Sequence, residues 1–304
     1  MQRIHLKLSA LLLLSLVACK SPAPLPPPPP PMKIALALGG GAARGFAHVG
    51  VIKALEAQGI VPDIIVGNSA GAAVGALYAA GYSGFELQEL SMQMDESQVS
   101  DWFMPNRGVI KGEALQDFIN KAVKQRPLEK MNKVLAIVAT DLHSGEIIVF
   151  RSGNTGMAVR ASSSVPGIFQ PVIINGHEYV DGGLVAPVPV HVARSLGADF
   201  VIAVDISEKP KNNSTESIID ILLQTFNIMG QTISRYELAD ADIVIRPATP
   251  GINATDFSGK HLAVLEGEKA LAAILPELKD KLAKMNANRL DGSTLEIPPK
   301  TLQP

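Results

Sequence analysis

Ser69 stands in Gly67-Asn68-Ser69-Ala70-Gly71, between the apolar run Ile64-Ile65-Val66 and the small-residue stretch Ala72-Ala73-Val74-Gly75-Ala76-Leu77. A strand that ends in Gly-x-Ser-x-Gly and turns at once into a helix lifts the serine hydroxyl above a sheet, where it can act as a nucleophile. Side chains at positions 67 and 71 would collide with the turn or the neighbouring strand, which is why glycine belongs there. Ala70, Ala72, Ala73 and Ala76 let the helix press closely on the sheet. The chemistry this suits is acyl transfer. The plain structural alternative is a tight Gly/Ser turn joining a strand to a buried helix.

A second loop precedes the first. Lys33–Leu38 reads as a buried strand, Gly39-Gly40-Gly41-Ala42-Ala43-Arg44-Gly45 follows, and Phe46–Gln58 has helical spacing with a Gly59 stop. Strand, glycine loop and helix suggest a helix N-terminus that receives an anion. A dinucleotide fingerprint is excluded because Arg44 occupies the third glycine position and the next strand runs into Ser69 with no acidic residue at its end. No Gly-Lys-Ser/Thr follows, so the loop is not a P-loop. The other use of such a loop is an oxyanion hole, with the N–H groups around Gly40, Gly41 and Ala42 converging on the oxygen of a tetrahedral acyl intermediate; the plain alternative is a tight βα connection.

A serine hydroxyl is a weak nucleophile until a neighbouring base takes its proton. The familiar partner is histidine. His48 lies just inside the first helix, where packing or a hydrogen bond to the glycine loop is the more ordinary role; His143, His177, His191 and His261 have no flanking signature. Asp141, Asp181 and Asp205 fall at strand C-termini as candidate carboxylates. Asp181 follows the hairpin signal Asn175-Gly176, set between Val172–Ile174 and His177–Val180. Read alone, an Asp-Gly pair is as readily a turn that caps backbone N–H groups.

These pieces together resemble the patatin-like phospholipase family. The matching segments are the glycine loop with Arg44-Gly45, Gly67-Asn68-Ser69-Ala70-Gly71, Arg160-Ala161-Ser162-Ser163-Ser164-Val165-Pro166-Gly167-Ile168-Phe169, and Asp181-Gly182-Gly183. They occur in the family's order and cover most of residues 34–206. The resemblance implies a Ser–Asp dyad without histidine, carried over to Ser69 and Asp181. One position departs: aligned on Arg44-Gly45, the family's third glycine falls at Ala42, which keeps its N–H but narrows the approach with a methyl. Arg160 and the serines after it are candidates for holding an anionic phosphate, as arginine forks do; the alternative is a helix C-terminus with a favourable Arg–dipole contact. Arg44 is expected either to brace the glycine loop internally or to meet an anionic substrate.

The elements that must position these residues alternate strand and helix, which argues one α/β domain over residues 32–287 with a mainly parallel central sheet flanked by helices. Ser83 and Glu86 form a capping box for a helix from about Phe85. Helices are also expected over Glu113–Lys124, from Asn154 or Thr155 to Ser162, and over Pro189–Leu196, Glu216–Ala239 and Glu266–Asn286, the last interrupted by Pro276. Val134–Ala139 turns through Ser144-Gly145 into Glu146–Phe150, and Phe200–Ile206 and Ile243–Ile245 complete the strands. Val99–Val109, with Trp102, reads as an irregular loop at the site entrance, and Ser207–Thr215 as a polar, mobile stretch.

The N-terminus stands apart from the fold. Arg3 and Lys7 precede the apolar stretch Leu8–Ala18, too short to cross a bilayer as a stable helix, and residues 1–18 read as a signal peptide. Leu16-Val17-Ala18-Cys19 resembles the bacterial lipobox, in which the cysteine is lipidated. Cys19 is the sole cysteine, so no intramolecular disulfide can form. Ser21–Pro31, with eight prolines, is an extended spacer, giving a linker over residues 19–31, and residues 288–304 read as a tail.

At 304 residues and 47% hydrophobic the chain can bury a large core. A net charge of −2 and 5% aromatic content leave neither a basic footprint nor a stacking surface for nucleic acid. The expected activity is lipid acyl hydrolysis of the phospholipase A or lysophospholipase type, with phospholipid or lysophospholipid as substrate and no metal or cofactor. The alternatives are a catalytically weak lipoprotein scaffold with the same fold, or an acyltransferase. The expected location is the bacterial cell envelope, anchored through Cys19. Lys20 stands where an aspartate would favour inner-membrane retention, which points to the periplasmic face of the outer membrane.

Overall fold

The computed structural model describes residues 29–95, 110–207, 218–249, 252 and 257–290. The expected signal peptide, Cys19 and most of the expected spacer lie outside the described residues, as do residues 96–109 around Trp102, the polar stretch after Ser207, and the expected tail beyond Leu290.

Short apolar segments build one eight-stranded sheet. Its parallel core runs β3–β2–β1–β7–β8, made of β1 (Ile34–Leu38), β2 (Ile64–Asn68), β3 (Val134–Asp141), β7 (Phe200–Val204) and β8 (Ile243–Ile245). Strands covered on both faces read as near-continuous hydrophobic runs. Leu36, Leu38, Ile65 and Ile202 point to one side, and Ala35, Ala37, Val66 and Val201 to the other, all fully buried. The first face packs against α1 (Phe46–Ala57), α2 (Ala70–Ala79), α3 (Gly84–Gln93) and α8 (Lys260–Leu290). The second is covered by α6 (Val190–Ser195) and by Leu238 of α7 (Ile218–Ala239). Two further helices, α4 (Glu113–Ala122) and α5 (Thr155–Ser162), pack together beside β3.

The expected single α/β domain with a mainly parallel sheet is therefore present. The strands β4 (Ile147–Phe150), β5 (Val172–Ile174) and β6 (His177–Asp181) add antiparallel on the β3 side. This has a consequence for the site. β4 pairs residues 137–140 of β3, so it occupies the edge opposite both β2, which pairs 134–138, and β6, which pairs 139–141. β2 and β6 thus share one edge of β3 end to end and in opposite senses, and their C-termini, Asn68 and Asp181, meet.

Local signals in the sequence account for most boundaries. Ser83 and Glu86 close a reciprocal capping box, Asn154 caps α5 by accepting the Met157 N–H, and Asn175 and Gly176 form the β5–β6 turn at φ 52° and 85°. Pro276 is the exception. It does not interrupt α8, which runs unbroken for 31 residues from Lys260 to Leu290. The missing N–H costs one helical hydrogen bond, while Leu271 and Leu278, fully buried on either side of it, hold the helix in place.

Candidate active site

Ser69 sits between the end of β2 and the first turn of α2 with φ 51° and ψ −120°. A non-glycine residue held there stores roughly 1–3 kcal/mol, and such strain persists only where the surroundings over-determine it. Here they do. A Cβ on Gly67 would lie 2.5 Å from the Gly71 carbonyl oxygen, and one on Gly71 would strike the Leu38 carbonyl oxygen of β1. Both glycines of Gly-x-Ser-x-Gly are thus fixed by backbone contact. The Ser69 N–H is held from outside the motif, donating to the Ser162 hydroxyl at 2.8 Å. Ser69 itself is partly exposed.

Asp181 arrives at the end of β6 and is 2% exposed. Its carboxylate accepts the Gly183 N–H at 2.6 Å and is hydrogen-bonded by the side chains of Ser69 and Asn68. Burial lifts its pKa to about 6, and those three donors pull it partly back. The carboxylate is therefore ionised at neutral pH yet basic enough to take a proton, which is the condition for general-base work.

One turn carries both groups. Ser162 holds the Ser69 N–H, and two residues on, the Ser164 carbonyl accepts the Asp181 N–H at 2.9 Å. The Ser162 hydroxyl donates to Asn68 Oδ1 at 3.5 Å, and Asn68, 1% exposed, also donates to the Pro187 carbonyl at 3.4 Å. Asn68 has no role that its local sequence announces, and Ser162, a candidate for holding an anion, is instead buried against the Ser69 N–H. Both lie within the sequence motifs, but only the three-dimensional path shows that their polar atoms turn inward.

The glycine loop faces this pair. A Cβ on Gly40 would lie 3.2 Å from the Ser69 Cβ and 2.9 Å from the Asn68 amide nitrogen. Of the three N–H groups expected as oxyanion donors, that of Gly40 donates to the Pro187 carbonyl at 3.1 Å. The Gly41 and Ala42 N–H groups have no acceptor among the described residues and stand at the start of the turn leading into α1. Ala42 adopts φ 50°, the left-handed region that glycine occupies without penalty, which explains why its motif position favours glycine.

Other candidates take structural roles. His48 is fully buried, bonded through Nε2 to the Gly39 carbonyl at 2.8 Å, and burial lowers its pKa to about 4. It is a neutral brace of the glycine loop. Asp141 accepts the N–H groups of His143 and Ser144 in the β3–β4 turn. Asp205 accepts from Ser207 and faces Arg246 at 3.4 Å. The two arginines weighed for anion binding or for bracing both bond to backbone carbonyls. Arg160 donates through Nε to the Lys111 carbonyl at 2.9 Å and reaches Gln116 and Glu113, fastening the start of α4. Arg44 is 6% exposed and donates to the Ile206 carbonyl at 3.1 Å. Among the described residues no group of three or more His, Cys, Asp or Glu side chains is placed to hold a metal ion.

The patatin-like phospholipase family model matches residues 36–194, more than half of the chain. Patatin-like phospholipase domain-containing protein 6 of Mus musculus is 33% identical over 183 residues, covering 58% of this chain and 14% of that protein. An uncharacterised NTE family protein of Mycobacterium bovis is 31% identical over 199 residues, covering 64% of this chain and 55% of its own length. The chain thus spans between about one seventh and just over half of these relatives. Among solved structures, VipD from Legionella pneumophila superposes with a TM-score of 0.54 over 82% of this chain and 67% of its own, at 14% identity, a likeness of fold. With its Gly-x-Ser-x-Gly elbow, facing glycine loop and Asp-Gly-Gly turn assembled in one place, the chain belongs to the patatin-like phospholipase family.

Proposed function

We propose that the protein is a lipid acyl hydrolase of the phospholipase A or lysophospholipase type, working through Ser69 and Asp181. The observation that carries this reading is the buried carboxylate of Asp181, raised to a pKa of about 6 and hydrogen-bonded to a serine held on a strained elbow. Asp181 takes the hydroxyl proton as Ser69 Oγ attacks the ester carbonyl. The N–H groups of Gly41 and Ala42 receive the negative charge that develops on the carbonyl oxygen. Collapse of the tetrahedral species, with the proton delivered from Asp181, expels the alcohol and leaves an acyl-Ser69. Water, deprotonated by the same carboxylate, then attacks the acyl carbonyl and releases the fatty acid.

The direct test is hydrolysis of a phospholipid and lysophospholipid panel by the wild type and by Ser69→Ala. Free fatty acid release by the wild type, lost in Ser69→Ala, supports the reading. Equal release by both would overturn it. Acyl transfer to an added alcohol in preference to water would point instead to an acyltransferase.

Lipidation at Cys19 belongs to the same proposal, supported by Leu16-Val17-Ala18-Cys19 at the end of a signal-like segment. Expressed in bacteria, the wild type is expected to incorporate labelled palmitate and Cys19→Ser none. Equal labelling of the two would place the lipid elsewhere. The outer-membrane assignment rests on Lys20 alone and is tested by separating the two membranes.

A further inference from the structure

The outward face of α7 has the wrong polarity for a helix in water. Ile221, Leu222, Ile228 and Met229 are each 51–53% exposed, and Tyr236 is 69% exposed. Thr225 and Thr232 share that face, at the i, i+4, i+7, i+8, i+11 and i+15 spacing of a single stripe. Its first charge is Arg235, one residue before Tyr236. A surface helix ordinarily turns its charges outward and its apolar residues inward.

The inward face of the same helix lies over the site. The Phe226 ring is 3.1 Å from where a Cβ of Gly183 would stand, and Gly183 binds the Asp181 carboxylate. Leu222 reaches to 3.7 Å from the corresponding position of Gly167, beyond the turn that carries Ser162 and Ser164. The apolar stripe is therefore continuous with the rim of the Ser69 site.

We infer that this face of α7 docks on a phospholipid bilayer and sets the mouth of the Ser69 site against the lipid phase; the inference rests on the proposed acyl hydrolase reading. Three features single out lipid. The stripe is uncharged from Ile221 to Thr232, so it has no electrostatic code for a charged protein partner. It ends in Arg235 and Tyr236, the residue types that keep a polar head at the water boundary while their stems lie in apolar surroundings. And a second copy seated there would cover the Leu222–Gly167 rim, whereas a bilayer covering it delivers substrate. No helix among the described residues is long and apolar enough to cross a membrane. α7, 22 residues and so about 33 Å long, therefore lies in the interface.

The test uses the mature chain, residues 19–304, carrying Cys19→Ser so that no acyl anchor masks the helix; it keeps every contact described above. Sedimentation with phosphatidylcholine vesicles is expected to retain this protein at low and high salt alike, since the stripe is apolar. The combined change Ile221→Gln, Ile228→Gln and Met229→Gln is expected to weaken vesicle binding at least about tenfold. Hydrolysis of vesicle lipid should fall in proportion, while turnover of a soluble short-chain ester stays unchanged. In a separate variant, Ile228→Trp, indole emission should shift to the blue on adding vesicles. Failure of the parent to bind, equal binding by the triple variant, or a triple variant that differs from the parent only in self-association, with vesicle binding unaltered, would each overturn the inference. If no ester is cleaved at all, the hydrolase reading fails, yet vesicle binding still decides the docking surface.

Discussion

The hydroxyl of Ser162 accepts the N–H of Ser69 at 2.8 Å across 93 residues of sequence. It is fully buried and reaches the strained elbow from outside the nucleophile's own strand and helix. Ser162→Ala should leave that N–H unpaired, lowering stability by about 1–3 kcal/mol. Because Ser162 is fully buried behind the elbow and bonds the Ser69 backbone, the expected signature of a positioning role is a fall in kcat of tenfold or more with KM little changed. Steady-state kinetics beside urea unfolding checks it; a stability loss with kcat intact would reduce Ser162 to a packing residue.

In the proposed dyad Asp181 works only when ionised, and its folded pKa is about 6. The rate is therefore expected to rise with pH through that value and level off above it. Turnover of a soluble ester from pH 4.5 to 8 tests this, and a rate that is flat down to pH 4.5 would assign the base to another group.

The same burial sets a stability cost. The folded pKa of Asp181 lies above its ordinary value near 3.8, so the folded state holds the proton more tightly and stability rises as pH falls through 6. Above pH 6 the buried charge costs about 3 kcal/mol. Asp181→Asn should thus be inactive but more stable than the wild type at pH 8, with the gain vanishing by about pH 4. Denaturant midpoints at the two pH values decide it.

His48 runs the other way. Its folded pKa is lowered from 6.5 to about 4, so the unfolded chain takes up a proton that the folded protein refuses, and stability falls as pH drops from about 6.5 to 4. In the wild type the His48 loss and the Asp181 gain oppose each other over nearly the same window. Asp181→Asn removes the gain and should expose the His48 slope, about 3 kcal/mol between pH 7 and 4. An equally flat profile in the variant would mean that His48 finds a proton acceptor when charged.

Ala42 at φ 50° offers a test of the glycine loop. The left-handed conformation costs a non-glycine residue roughly 1–2 kcal/mol, and glycine loses about 0.5–1 kcal/mol more than alanine in ordering. Ala42→Gly should therefore be neutral to mildly stabilising, with activity at least that of the wild type. Ala42→Val should lose both stability and rate. A clear loss of rate in Ala42→Gly would mean that the alanine methyl itself orders the oxyanion donors.

Where the sequence was legible and where it was not follows the range of the forces involved. Local chemistry marked the elbow at Ser69, the glycine loop, the Ser83–Glu86 capping box and the Asn175-Gly176 turn, because each is decided within a few residues. Patterns with two local readings were settled only by long-range contacts. Arg160 meets Lys111 and Gln116, 49 and 44 positions away, and so braces α4. Gly40 lends its N–H to the Pro187 carbonyl, 147 positions away. Pro276 reads as a helix break, yet Leu271 and Leu278 pack on both sides and carry α8 through it. Nor does spacing alone show that β6 completes the edge of β3 begun by β2, the arrangement that joins Asp181 to Ser69.

The pairing of Ser69 with Asp181 is tested most directly by a fluorophosphonate probe followed by peptide mass mapping of the wild type, Ser69→Ala and Asp181→Asn. The expected result is an adduct on Ser69 in the wild type, none in Ser69→Ala, and labelling slowed at least about a hundredfold in Asp181→Asn. A wild-type adduct on another residue, or equal labelling rates in the wild type and Asp181→Asn, would contradict it.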